Sequence, residues 1–202
     1  IHPYRYPHPP EGSDLVGEVT RIAERVRAAG ARRPAWVTEI GWPTHRTSRG
    51  SDQATQARYC VRALVLLQST GLVEKVFWYD FKDDGTKRDY NEHNFGLIHH
   101  QTYGCAPKPG VVAMSVFIRM TGETEFRELS RKGPAYMAWY QRPGGEGIVV
   151  AWTDRSTHRV PVSGQLNTVV DLMGAALPVS DSIELTENPV YLTGRELKIR
   201  AE

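Results

Sequence analysis

Glu39 closes a short apolar run, in the stretch Trp36-Val37-Thr38-Glu39-Ile40-Gly41-Trp42-Pro43. A carboxylate in such a run is seldom kept unless it is paired or put to chemical use. Tryptophans on either side point to a flat, polar ligand such as a sugar ring. Other residues with chemical potential fall in two more places. His2 and Tyr4 lie at the start of the chain, and Trp78, Asp80, Asp83 and Asp84 lie some forty residues beyond Glu39.

The elements between these groups explain why they belong together. Residues 1–6 read as the tail of a strand running into a Pro-rich loop. Leu15, Val19, Ile22, Val26 and Ala29 recur at helical spacing and form one apolar stripe, and Gly30 and Pro34 end it. Residues 35–40 form a strand. Ser51 or Asp52 then caps a helix with Ala54, Ala57, Val61, Leu64, Val65 and Leu67 inward. Residues 75–80 form the next strand. A polar loop follows to Lys108, and Pro109 opens a third helix that ends at Gly122. Strand and helix thus alternate three times, which implies parallel strands covered by helices. His2, Tyr4, Glu39, Trp42, Trp78, Asp80, Asp83 and Asp84 all sit at or just past C-terminal strand ends. In parallel α/β architectures that edge is where ligands bind.

The character changes after Gly122. Segments 126–129, 135–141, 147–153, 158–162, 168–172, 182–185 and 190–192 are short and rich in β-formers. Arg142-Pro143-Gly144-Gly145-Glu146-Gly147 is a hairpin signal. Strands spaced in this way suggest a small β-sandwich. Alternation in Ile148, Val150 and Trp152 assigns those residues to its core, and Tyr140 with them. The expected domains are residues 1–122 and 123–202.

Composition narrows the function classes. With 40% hydrophobic and 24% charged residues the chain has an ordinary globular balance. A net charge of +2, with both signs interspersed, argues against nucleic acid or an anionic membrane as partner. The longest apolar run, residues 63–67, is far short of the ~20 residues of a membrane span. Cys60 and Cys105 make neither a metal framework nor a disulfide scaffold, and whether they pair stays open. His99-His100 have no third ligand at zinc spacing. No metal and no cofactor is expected.

His2-Pro3-Tyr4, Thr38-Glu39-Ile40-Gly41-Trp42, Phe77-Trp78-Tyr79-Asp80, Asn94-Phe95-Gly96-Leu97 and Lys108-Pro109 together resemble the last three strands of a (β/α)8-barrel glycoside hydrolase. The class is the retaining clan with two catalytic glutamates, and the nearest flavour is similar to family 39. The resemblance implies an α/β plus β chain, with the C-terminal three β/α units of a TIM barrel followed by a β-sandwich. Asp171-Leu172-Met173-Gly174 and Pro189-Val190-Tyr191-Leu192 fit that second part. The resemblance makes Glu39 the nucleophile and Tyr4 the residue that orients it. It makes Trp78 the aromatic floor of a sugar site. Retention requires a second carboxyl ~5–5.5 Å from the first, to protonate the leaving group.

Bland readings stand beside these. Trp78 and Trp42 are either ring platforms or core. His2 either contacts a sugar hydroxyl or is a satisfied structural histidine. Asp83 and Asp84 either bind sugar hydroxyls or make a solvated turn with Gly85. Asn91-Glu92 repeats the dipeptide that carries the clan's acid/base, but in the wrong chain order, and is read as loop.

Three strand-helix units cannot close a barrel of eight. The expectation is therefore a C-terminal piece of a longer glycosidase acting on β-linked oligo- or polysaccharide, whose acid/base and N-terminal barrel half lie upstream. The piece alone is then inactive, and a secreted location is favoured. The second reading is a non-catalytic polysaccharide-binding or scaffold module of the same fold.

Overall fold

The computed structural model describes residues 1–31 and 33–200. They divide into two compact units, residues 1–112 and 113–202.

In the first unit, α1 (Leu15–Ala28), β1 (Ala35–Ile40), α2 (Gln53–Ser69) and β2 (Val73–Trp78) follow in order. β1 and β2 pair in parallel, with Val37 beside Val76 and Ile40 beside Trp78. Leu15, Val19, Val37, Ile40, Trp42, Tyr59, Ala63 and Leu67 form the core between them. The α1 stripe is shorter than its spacing suggests. Leu15, Val19 and Ala23 are buried, whereas Val26 and Ala29 are exposed. The expected strand at residues 1–6 is reduced to one rung on β1. The Ile1 amine donates to the Trp36 carbonyl, and the Thr38 amide donates to the Ile1 carbonyl. Pro3 has no amide with which to continue the ladder. β2 begins and ends two residues earlier than the pattern of residues 75–80 implies.

The helix α2 is buried on most of its surface. Asp52 caps it by accepting from the Thr55 amide at 2.6 Å. Arg62 is fully buried and pairs with Glu11 through both its Nε and Nη2. The Gln56 side-chain amide, also fully buried, donates to the carbonyls of Trp42, Phe95 and Gly96. One helix residue thus ties the loop after β1 to the loop after β2. Gly41 lets those segments touch, since a Cβ there would lie 1.8 Å from the Tyr79 carbonyl oxygen. Both cysteines are free, with Cys60 buried and Cys105 exposed.

The helix α3 spans Pro109–Thr121. In the second unit, β3 (Glu125–Lys132), β4 (Ala135–Gln141), β5 (Gly147–Thr153), β6 (His158–Val170), β7 (Ala176–Leu177), β8 (Ser182–Leu185) and β9 (Val190–Ile199) form a seven-stranded sheet. The order is β3-β4-β5-β9-β6-β7, with β8 on β6, and every pairing is antiparallel. Met137, Val149, Ala151, Val160, Leu185 and Leu192 are among its buried residues. Tyr140, Ile148, Val150 and Trp152 are buried as well.

Two expected strands, 158–162 and 168–172, are one strand, β6. The polar stretch around Gly164 that reads as a break is a bulge. Gly164 has φ +98, and the register with β9 shifts across it, between Ser163 and Gln165. A glycine inside a strand pattern marks such a bulge as readily as a turn. β9 likewise runs on through Gly194 to Ile199.

Candidate functional site

The C-terminal end of β1 carries Glu39. The Tyr4 hydroxyl donates to Glu39 Oε2 at 2.9 Å. His2 stands on the same side. Its Nδ1 is 3.5 Å from Glu39 Oε2, and its Nε2 is 2.9 Å from Thr38 Oγ1. Tyr4 is held by rings as well as by its hydroxyl. Phe95, buried, lies 5.7 Å from the Tyr4 ring, 5.3 Å from Tyr6 and 5.2 Å from Tyr79, centre to centre. Edge-to-face contacts of this kind fix ring orientation as well as burying area.

The electrostatics of the cluster keep its phenols neutral. Burial, then the hydrogen bond to Glu39 and its charge, push the Tyr4 hydroxyl far above the ordinary phenol range. Tyr4 therefore stays a donor to the Glu39 carboxylate. Tyr79 is pushed up to about 12, by burial first and then by Asp84, Glu92, Asp80 and Glu39. Burial, with Asp84 adding to it, also raises the Asp80 carboxyl above the usual carboxylate range.

Glu92 belongs to this neighbourhood, although chain order alone sets it aside as loop. It sits in a 3-10 turn, Asn91–Asn94, and its Oε2 lies 3.4 Å from the Tyr79 hydroxyl. Its charge also acts on Tyr4. Asn91 Nδ2 donates to Glu92 Oε1 at 2.6 Å and reaches the Tyr6 hydroxyl at 3.3 Å. Asp84 Oδ2 approaches the Tyr79 hydroxyl from another side, at 3.5 Å. Distances of 3.4–3.5 Å are long for O–H···O bonds, so Tyr79 is loosely shared between the two carboxylates.

Two expected ligand residues are placed elsewhere. Trp42 is fully buried in the core of the first unit, and its Nε1 donates to the His8 carbonyl at 2.9 Å. A ring with no exposed face offers no platform to a sugar. Its indole instead stacks on Trp78, 5.9 Å away and 26° from parallel. Asp83 is only 4% exposed. It receives Lys108 Nζ at 2.6 Å and the Gly96 amide at 2.9 Å. A carboxylate in a buried ion pair holds the loop rather than a sugar hydroxyl. Trp78 is half-buried, and among the described residues its Nε1 has no hydrogen-bond partner. No group of three His, Cys, Asp or Glu among the described residues is arranged to hold a metal ion.

No protein-family model matches the chain, and no curated protein sequence matches it. Solved structures do. A family 39 glycoside hydrolase from the gut symbiont Bacteroides cellulosilyticus WH2 superposes with a TM-score of 0.78 and 27% identity, over 96% of this chain and 44% of that one. The family 51 arabinofuranosidase from Xanthomonas axonopodis pv. citri gives a TM-score of 0.56 and 10% identity, over 92% of this chain and 45% of its own. The catalytic domain of the family 30 xylanase C from Talaromyces cellulolyticus gives 0.51 and 12%, over 83% and 41%. The last two speak to fold alone. The structural neighbours are glycoside hydrolases, so the chain has a glycosidase-like fold. It spans less than half the length of these three neighbours.

Proposed function

We propose that this chain is the nucleophile-bearing part of a retaining glycoside hydrolase of family 39 type. In that reading residues 1–122 supply the sixth to eighth β/α units of a TIM barrel, and residues 123–202 a β-sandwich. The observation that carries it is the Tyr4 hydroxyl on Glu39 at the end of a parallel strand. A phenol that stays protonated orients the carboxylate and leaves its other oxygen free to attack.

The reaction follows from that geometry. A Glu39 oxygen forms a bond to the anomeric carbon of a β-linked glycoside as the bond to the leaving oxygen breaks. A second carboxyl, contributed by a segment outside these residues, protonates the leaving group and later takes a proton from the water that releases the sugar. Trp78 floors the ring, His2 donates to a sugar hydroxyl, and Asp84 meets the ligand at the rim. The high identity to one family 39 structure relative to the other neighbours supports the family, and the partial coverage of that structure supports a second carboxyl lying elsewhere.

The test is a mechanism-based one. A 2-deoxy-2-fluoro-glycoside with a dinitrophenolate leaving group needs no acid to depart, so it should esterify Glu39. On this reading the 202 residues alone turn over activated aryl glycosides poorly. Turnover at the level of an intact glycosidase would refute that part.

The alternative, a polysaccharide-binding module without hydrolysis, predicts ligand binding with no ester at Glu39.

A further inference from the structure

A cavity lies between the loops that follow β1 and β2. It has a volume of about 340 Å³, within the range of small-molecule sites. The loop after β1 contributes Thr44 and Arg46, and the loop after β2 contributes Arg88, His99 and Tyr103. The two loops are joined where the Arg46 amide donates to the Arg88 carbonyl. That bond brings two arginines to one cavity wall. Among the described residues no carboxylate pairs with either guanidinium.

The floor of the cavity does not neutralise them. Asp83 is the single carboxylate among the described lining residues, and it already faces Lys108 Nζ at 2.6 Å and His99 Nδ1 at 3.4 Å. His99 Nε2 meets Gln53 Nε2 at 3.2 Å, so both ring nitrogens are engaged. Lys108 Nζ also donates to Thr44 Oγ1 at 3.0 Å. The positive charges left to a ligand are those of Arg46 and Arg88. Tyr103, 46% exposed, adds an aromatic wall steadied by an edge contact with His99 at 6.2 Å.

We propose that this cavity binds an anionic substituent, a carboxylate or a sulfate ester, on the saccharide that the neighbouring site takes. The proposal rests on the carbohydrate reading above. Guanidinium groups are planar donors that pair with two-oxygen anions through parallel hydrogen bonds. A tyrosine face beside them suits the apolar side of a pyranose. A neutral saccharide would leave two arginines without use, whereas a free anion would leave Tyr103 without use.

The test titrates the intact protein with three matched probes: methyl β-D-glucopyranoside, its uronate, and its 6-sulfate, with inorganic sulfate as a fourth arm. The expected result is that one charged glucoside binds at least about tenfold more tightly than the neutral one, the yield of one charge-assisted contact. That advantage should shrink as sodium chloride rises. It should vanish in R46Q/R88Q and return in part in R46K/R88K, with the circular dichroism of both variants matching the wild type. Whichever of uronate and sulfate gains more identifies the substituent. Equal binding of charged and neutral glucosides, or an advantage that survives in R46Q/R88Q, would overturn the proposal. Inorganic sulfate binding as tightly as the 6-sulfate would overturn it too, by showing an anion site without a sugar. The same titration on Glu39→Gln separates the two ideas. An acidic preference kept there, with no ester ever formed at Glu39 in the wild type, refutes the nucleophile and leaves this cavity standing.

Discussion

Tyr4 and Glu39 are thirty-five positions apart and meet through a hydrogen bond of 2.9 Å. The bond spans the junction between the opening segment and β1, and the ring cluster around Phe95 sets its direction. A donor aimed at a carboxylate from a half-buried phenol is preorganised, so little solvent need reorganise when the carboxylate acts. Tyr4→Phe keeps the ring in the cluster and removes only the hydroxyl. Esterification of Glu39 by the fluoro-glycoside should then slow by about 10²-fold, the usual loss for one preorganised donor. The melting temperature should barely move. A slow step with unchanged stability separates positioning from packing.

Gly41 follows Glu39 by two residues and passes under the Tyr79 carbonyl. Gly41→Ala would place a methyl group 1.8 Å from that oxygen. Backbone must shift to relieve it, and overpacking of this kind costs about 1–3 kcal/mol or more. A urea melt of the variant should show the loss directly.

Asp83 and Asp84 are neighbours with opposite fates. Asp83→Ala leaves Lys108 buried and unpaired, a change that costs about 3–5 kcal/mol. Asp84→Ala touches an exposed side chain and should change stability by no more than about 0.5 kcal/mol. Thermal unfolding of the two variants side by side checks the assignment of Asp83 to the scaffold.

Asp52 offers a pH test. Its hydrogen bond from the Thr55 amide holds its carboxyl below the ordinary value of 3.8. The unfolded chain therefore binds the proton more readily, so the cap's stabilisation is present above pH 3.8 and fades as pH falls through the lower folded value. Asp52→Ala should cost about 0.5–2 kcal/mol near neutrality. The difference from wild type should narrow in acid, as stability curves at stepped pH would show.

His45 titrates from the other side of neutrality. It is buried, and desolvation lowers its pKa below 6.5. The unfolded histidine takes the proton first. Its contribution is thus fully present above pH 6.5 and is lost as pH falls towards the folded value. A His45→Gln variant should flatten the stability curve between about pH 7 and 5.

The periodic elements were open to a reader of the sequence. The strand at 35–40 and the helices around 53–69 and 109–121 follow from apolar spacing and from caps whose geometry is local. Strand order placed Tyr4 and Glu39 at one edge, where ligand groups of a parallel sheet gather, and their pairing was what the family resemblance implied. What lay hidden depends on the third dimension. Trp42 and Trp78 look alike in sequence, yet one is fully buried and the other half-buried. Nothing local tells which ring the sheet covers. Asp83 resembles a turn residue until Lys108, twenty-five positions on, closes on it. Glu92 was set aside by chain order, and only the fold of its loop carries it to Tyr79. The single strand β6 read as two, 158–162 and 168–172, because a glycine inside a strand pattern marks a bulge or a break alike.

The nucleophile itself is most directly tested by mass spectrometry after incubation with dinitrophenyl 2-deoxy-2-fluoro-β-glycosides of xylose and glucose. The account predicts one ester per chain, on the peptide that holds Glu39, and none in Glu39→Gln. An unlabelled protein, or an ester on Glu92 in place of Glu39, would contradict it.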